Sequence, residues 1–216
     1  MCVFLWPVLF KPSRFPQVIA TKTQELQVQA TNKPASDEQI LNLLRSDGTF
    51  ERGFRLLMST YKERLYWHIR RMVVVHEDAD DVLQNTFVKI YRGVLQFEEK
   101  SKLYTWLYRI ATNEAISFLQ SRNRRASGSL DDGEGLLAAR LRADSWFDGE
   151  AVQQQLQDAI ARLPDKQRAV FNLRYYDEMP YEEMSRVLDT SVGALKASFH
   201  HAAKKIETHF READHF

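Results

Sequence analysis

A chain of 216 residues, 44% hydrophobic and 27% charged with only 8 Gly and 6 Pro, has room for one ordinary domain or two small ones and few breakers to interrupt helices. Its net charge of +1 marks no partner by global attraction, so local charge blocks must be read instead. The one cysteine, Cys2, excludes an intrachain disulfide and fits a reducing, cytoplasmic setting.

The chain opens MCVFLWPVLF, an apolar run without the basic leader of a signal peptide and far too short to span a bilayer. Residues 11–36 are polar and carry Pro12, Pro16 and Pro34, so residues 1–35 read either as a disordered extension or as an over-long assigned start, dispensable to folding in both cases. Ser36-Asp37-Glu38-Gln39 fits a capping box, opening a short helix with Ile40, Leu41, Leu43 and Leu44 that stops at Asp47-Gly48. A second helix carries Phe54, Leu57, Met58, Tyr61, Leu65, Ile69 and Met72 in steps of three and four. Asp78 is the expected N-cap of a third, with Val82, Leu83, Thr86, Phe87, Ile90, Tyr91 and Val94 on its apolar side. After the loop QFEEKSK, a fourth helix reads LYTWLYRIATNEAISFL and ends in RNRR.

The fourth helix carries more aromatic surface than one buried face needs. Leu103, Trp106, Leu107, Ile110, Ala111, Ala115, Phe118 and Leu119 account for a broad apolar face, leaving Tyr104, Tyr108 and Thr112 on one edge beside Thr105, Arg109 and Asn113. Rings stack on unpaired bases, amides and guanidinium groups read base edges, and arginines hold phosphates. Five cations lie between Lys102 and Arg125 against Glu114 alone, and six acids follow in residues 126–150 against Arg140 and Arg142. That alternation suits a segment that meets a polyanion followed by an acidic, glycine-bearing linker.

Helices resume at 152–162, after Pro164, at 181–188 and at 192–210, and nothing reads as a strand. Pro180 sits where a helix starts without needing its N–H, and Asp189-Thr190-Ser191 is a turn of helix-turn-helix length, with Ser191 able to cap the last helix. There Val192, Leu195, Phe199, Ala202 and Ile206 form the core stripe, opposite Ala194, Lys196, Ala197, Ser198, His200, His201, Lys204 and Lys205. Small or hydrogen-bonding side chains let such a helix enter a major groove while lysines take phosphates. The bland alternative is a hairpin with a solvated face. His200 and His201 are adjacent on a helix and diverge by about 100°, which disfavours a metal. Asp80-Asp81 and Glu182-Glu183 diverge likewise and read as solvated faces rather than acid pairs. With no phosphate-cradling glycine loop, metal-ligand cluster or nucleophile set, we expect no cofactor and no enzyme.

DADDVLQNTFVKIYRGVLQF with LYTWLYRIATNEAISFLQSRNRR, then an acidic linker and ARLPDKQRAVFNLRYYDEMPYEEMSRVLDTSVGALKASFHHAAKKI, resembles the extracytoplasmic-function (ECF) sigma factors of bacterial RNA polymerase, of a type similar to Bacteroidetes sequences. The resemblance covers residues 36–210 and implies an all-α chain of two small domains: a four-helix region 2 domain over 36–125 and a region 4 helix-turn-helix domain over 151–212, joined by a flexible linker over 126–150. It implies contact with core polymerase (the β′ clamp helices and the β flap) through Asp81, Gln84, Asn85 and Lys89, with Asn85 standing where many members have Glu. The loop 97–102 matches the family's specificity loop. Capture of unstacked −10 bases falls to Lys102, Tyr104, Trp106, Tyr108, Arg109 and Asn113, with Arg122, Arg124 and Arg125 on the backbone. The −35 groove falls to Ser191, Lys196, Ala197, Ser198, His200, His201, Lys204 and Lys205. Ser198, His201 and Ala203 replace common arginines and Asp189 a turn glycine, so phosphate attraction should be weaker. An anti-sigma partner is implied as well. Two other readings compete: a stand-alone helix-turn-helix regulator, which would need dimer symmetry, and an enzyme acting on flipped bases, which would need a centre the sequence lacks.

Overall fold

Ser36 closes a capping box in the computed structural model, which describes residues 35–126 and 151–213: Gln39 N donates to its hydroxyl at 3.2 Å and Ser36 N donates to Gln39 Oε1 at 3.1 Å. Two early donors of α1 (Asp37–Arg45) are thereby satisfied, and the helix buries Ile40, Leu41 and Leu44 against α2 (Phe50–Val73). A glycine makes that approach possible. A Cβ on Gly53 would lie 2.7 Å from the Leu44 backbone nitrogen, inside any permitted contact.

Helix α3 (His76–Gly93) starts earlier than its sequence suggests, with Val75 in the cap position. Asp78 therefore lies in the first turn, where its carboxylate suits the helix dipole and accepts from Arg122 Nη1 at 3.1 Å. A 3₁₀ turn (Val94–Gln96) and a loop lead into α4 (Leu103–Ala126). Ile40, Leu57, Leu65, Ile69, Ile90 and Leu107 are all fully buried in this four-helix half, each contributing about 1.5–3 kcal/mol by leaving water. The expected third-helix stripe holds at Val82, Leu83, Thr86, Phe87, Ile90 and Val94, but Tyr91 is 47% exposed and packs edge-on against Phe50 and Phe54.

The second half comprises α5 (Ala151–Ala161), α6 (Asp165–Tyr175), α7 (Tyr181–Leu188) and α8 (Val192–Ala213). Leu156, Ile160, Leu163, Phe171, Ala202 and Ile206 form its core, with Phe171 stacked on Phe199 at 5.6 Å. Asp189 ends α7 in the left-handed region (φ 49°, ψ 49°), the conformation a turn glycine would supply and which Asp tolerates better than most residues. Ser191 then caps α8, accepting from Ala194 N at 3.3 Å. Among the described residues there is no strand, and no helix is long and apolar enough to cross a membrane.

The sequence permits many placements of the two halves. Here they form one compact unit, α7 lying on α4 and α6 on α2. All but the last residue of the proposed extension over 1–35 and all but the first residue of the linker over 126–150 lie outside the described residues.

Candidate nucleic-acid interface

The polar face of α8 is open to solvent. Ser191, Lys196, Ala197, His200, His201, Lys204 and Lys205 are exposed and Ser198 is half-buried, while Leu195, Ala202 and Ile206 turn inward. Small and cationic side chains thus project together from a helix braced by its own core, the geometry a major groove admits. Lys196 also lies over the Tyr181 ring, Nζ 5.7 Å from its centroid, which ties the first helix of the motif to the second. His200 and His201 rings are 6.0 Å apart and tilted, and no metal-binding group occurs among the described residues.

On α3, Asp81, Gln84, Asn85 and Lys89 are all exposed, opposite buried Val82, Leu83, Thr86 and Phe87. Lys89 pairs with Glu114 of α4, so it reaches a partner only by leaving that carboxylate. Exposed Val88, Tyr91 and Leu95 add apolar surface beside these polar residues.

The α4 surface divides. Arg109, Asn113, Arg124 and Arg125 are exposed and Trp106 is half-buried, its ring against Phe97 (centroids 5.3 Å apart) and over Gly93. Arg122 is committed to Asp78 and lies against the Phe118 ring at 5.9 Å. The specificity-loop segment is held from α1, where Arg45 donates to the Phe97 carbonyl at 3.0 Å and pairs with Glu99.

The edge expected to meet bases is covered. Tyr108 is 5% exposed, packed on His68 at 5.0 Å between centroids, with its hydroxyl donating to Asp177 Oδ1 at 3.3 Å. Burial first, and then the Asp177 carboxylate, push its phenol well above the ordinary value. Tyr104 is half-buried, and Thr105 is buried, its hydroxyl donating to Glu183 Oε2 at 2.6 Å. Lys102 Nζ stands 3.6 Å from Glu183 Oε1. Glu183 is therefore no solvated residue: it is 7% exposed, while Glu182 beside it faces water. Burial by itself would raise the Glu183 carboxyl, but the Thr105 hydrogen bond, Arg186 and Lys102 outweigh burial and hold it below the usual value.

A second carboxylate, Asp177 in the α6–α7 loop, lies 2.8 Å from His68 Nδ1 and 3.5 Å from Arg71 Nη1, and His68 Nε2 contacts the Thr112 hydroxyl at 2.9 Å. Arg71 also stacks on Tyr176, 4.4 Å from its ring centroid. Deeper in the contact, buried Arg168 donates to the Met72 carbonyl at 2.7 Å and to two carbonyls at the end of α5. Sequence reasoning misses His68, Asp177, Glu183 and Arg168 because each makes its contact across the junction of the halves, where periodicity carries no signal. A polar residue on an otherwise apolar stripe, as His68 is between Leu65 and Met72, is the one available hint.

The Sigma-70 region 2 model matches residues 57–125 and the Sigma-70 region 4 model residues 153–206. The chain is 30% identical over 165 residues to the ECF RNA polymerase sigma-E factor of Haemophilus influenzae, covering 73% of this chain and 87% of the relative. It is 31% identical over 170 residues to the ECF RNA polymerase sigma factor SigW of Bacillus subtilis, covering 74% and 90%. Its fold is similar to that of the sigma factor RpoE of Bartonella quintana, solved with the anti-sigma factor NepR, with TM-score 0.58 and 20% identity over 74% of this chain and 98% of that one. With both regions present in order on one all-helical chain, this protein belongs to the ECF sigma factors of the sigma-70 family.

Proposed function

We propose that this ECF sigma factor divides promoter recognition between its two domains, 36–125 and 151–212, as a cytoplasmic, dissociable subunit of RNA polymerase. The exposed face of α8 carries the reading: Lys196, Lys204 and Lys205 flank the small residues Ala197 and Ser198, so the helix enters the −35 major groove and the lysines neutralise phosphates. On α4, Arg109 and Asn113 meet the −10 non-template strand beside Lys102, Tyr104, Trp106 and Tyr108, with Arg122, Arg124 and Arg125 on the backbone. Stacking of about 1–3 kcal/mol per base is of the size needed to offset extrusion from the duplex. Asp81, Gln84, Asn85 and Lys89 take the polymerase clamp, and the domain of 151–212 takes the β flap. An anti-sigma factor is the expected regulator, supported by the similarity in fold to a sigma factor solved with one.

The chain carries no chemistry of its own on this reading; polymerase supplies the catalysis. Run-off transcription with purified Bacteroidetes-type core polymerase on genomic fragments tests it. New discrete transcripts that depend on this protein are expected, and binding to duplex DNA without any such transcript would instead identify a stand-alone regulator.

A further inference from the structure

The loop that leads into α4 is fixed at its two ends. Phe97 is buried, with its ring 5.3 Å from that of Trp106, and Leu103 is buried at the first position of the helix. Between them Glu98, Glu99, Lys100 and Lys102 are exposed, so core packing does not set their conformation. Their carboxylates and ammonium groups offer acceptors and donors to a base edge, beside the α4 residues assigned above to the −10 strand.

The conformation that the loop takes is not one its backbone would choose. Glu99 has φ 56°, in the left-handed region that non-glycine residues seldom occupy. Val74 and Asp189 also have positive φ, but each of them ends a helix and Glu99 ends none. The hold comes from α1. Its last residue, Arg45, donates from Nη2 to the Phe97 carbonyl at 3.0 Å and pairs through Nη1 with the Glu99 carboxylate. One planar fork thereby fixes two points of the loop in a set relation, which a single point charge could not do. Its base is rigid, since α1 is capped at Ser36 and seated against α2 at Gly53. Both side chains of the pair are about half exposed, so water screens it and overall stability gains little. Its effect is therefore local, on where the loop stands.

We propose that Arg45 is a positioning residue for promoter specificity: from α1, and without touching DNA, it holds the loop 97–102 in the one conformation that reads an extruded −10 base. The proposal rests on the promoter-recognition reading above for what the loop meets, though not for the hold itself. A base that fits the held loop binds more weakly by the fraction of chains whose loop has left that conformation. Loss of Arg45 therefore lowers discrimination at the position the loop reads and leaves the −35 element and the other −10 positions as they were.

The test uses the full chain with Arg45→Met, which keeps a stem of similar reach and removes the fork, and Arg45→Lys, which keeps the charge and a single donor group. Cleavage after Lys100 by lysyl endopeptidase, followed by mass spectrometry, reads the loop directly. It should quicken at least about fivefold in Arg45→Met, with Arg45→Lys in between and Tm unchanged. Holoenzyme assembled with each protein is then given a promoter recovered by the run-off assay, its −10 element randomised, and the templates held in heparin-resistant open complexes are sequenced. In Arg45→Met the enrichment of the favoured base at one −10 position should fall at least about fivefold, the other positions and −35 duplex binding being retained. An unchanged cut after Lys100 overturns the proposal, as does a uniform loss of open complexes with every base preference intact, which a plain structural or phosphate-binding role would give. Should the parent form no open complex while the cut quickens as expected, the hold on the loop stands and the promoter reading falls.

Discussion

Replacing Arg168 by methionine puts a number on the buried junction. Methionine has nearly the reach of arginine and fills irregular space, so the change removes hydrogen bonds while leaving little cavity. Three carbonyls lose their donor: Met72 across the junction, and Ala161 and Leu163 at the end of α5. At about 1–3 kcal/mol for each buried group left unpaired, the gross loss is about 3–9 kcal/mol. Opposing this, the folded chain no longer desolvates a guanidinium that is 5% exposed and that, among the described residues, faces no carboxylate within bonding distance and leaves Nε unpaired, a relief of several kcal/mol. The carbonyls at the end of α5 lie next to exposed Arg162 and can recruit water, whereas the Met72 carbonyl is sealed between the halves. The net expectation is a loss of about 2–3 kcal/mol, or about 4–12 °C in Tm for a chain of this size. Urea unfolding followed by circular dichroism measures it. A loss under about 0.5 kcal/mol, or a gain, would refute the reasoning by showing that desolvation of the guanidinium outweighs the bonds it makes.

Gly53→Ala should cost about 1–3 kcal/mol despite alanine's better helix propensity, because its Cβ meets backbone of α1 at 2.7 Å and the helices must part; thermal unfolding reads this directly. Glu183 sets an acid-side dependence. Lys102 faces it from just before α4, Tyr104 and Thr105 from α4, and Arg186 from its own helix; the Thr105 hydrogen bond and the two cations outweigh burial and leave its native carboxyl below the unfolded value. Between the two values the unfolded chain binds the extra proton, so the stabilisation from Glu183 is complete at neutral pH and is lost as pH falls below about 4. A pH series of urea midpoints should show that part of the acid slope vanish in Glu183→Gln, and an unchanged slope would remove Glu183 from the account. Lys196→Ala should weaken −35 duplex binding and reduce the slope of log K against log salt by about 1, with sequence preference retained; an unchanged gel shift at low salt would exclude its phosphate role.

Sequence alone determined the elements and their outward faces. The capping box at Ser36, the three-and-four spacing of Leu57, Tyr61, Leu65, Ile69 and Met72, and the Ser191 cap before an apolar stripe are local signals, because capping and helical periodicity act within a few residues. The polar faces of α3 and α8 were legible for the same reason: a residue opposite a buried stripe must face outward. The start of α3 at His76 escaped because Asp78 serves a tertiary partner, Arg122, instead of its own helix end. What only the tertiary structure decided is the fate of the α4 edge. Tyr108 and Thr105 read as surface by their helical position and are buried by residues 69 and 78 places further along the chain, and the same contacts turn Glu183 from a solvated acid into a buried one. Helical periodicity states which side of a helix points away from its own core; it says nothing about a second domain that settles there, since that docking depends on complementary charges and hydrogen bonds far apart in sequence.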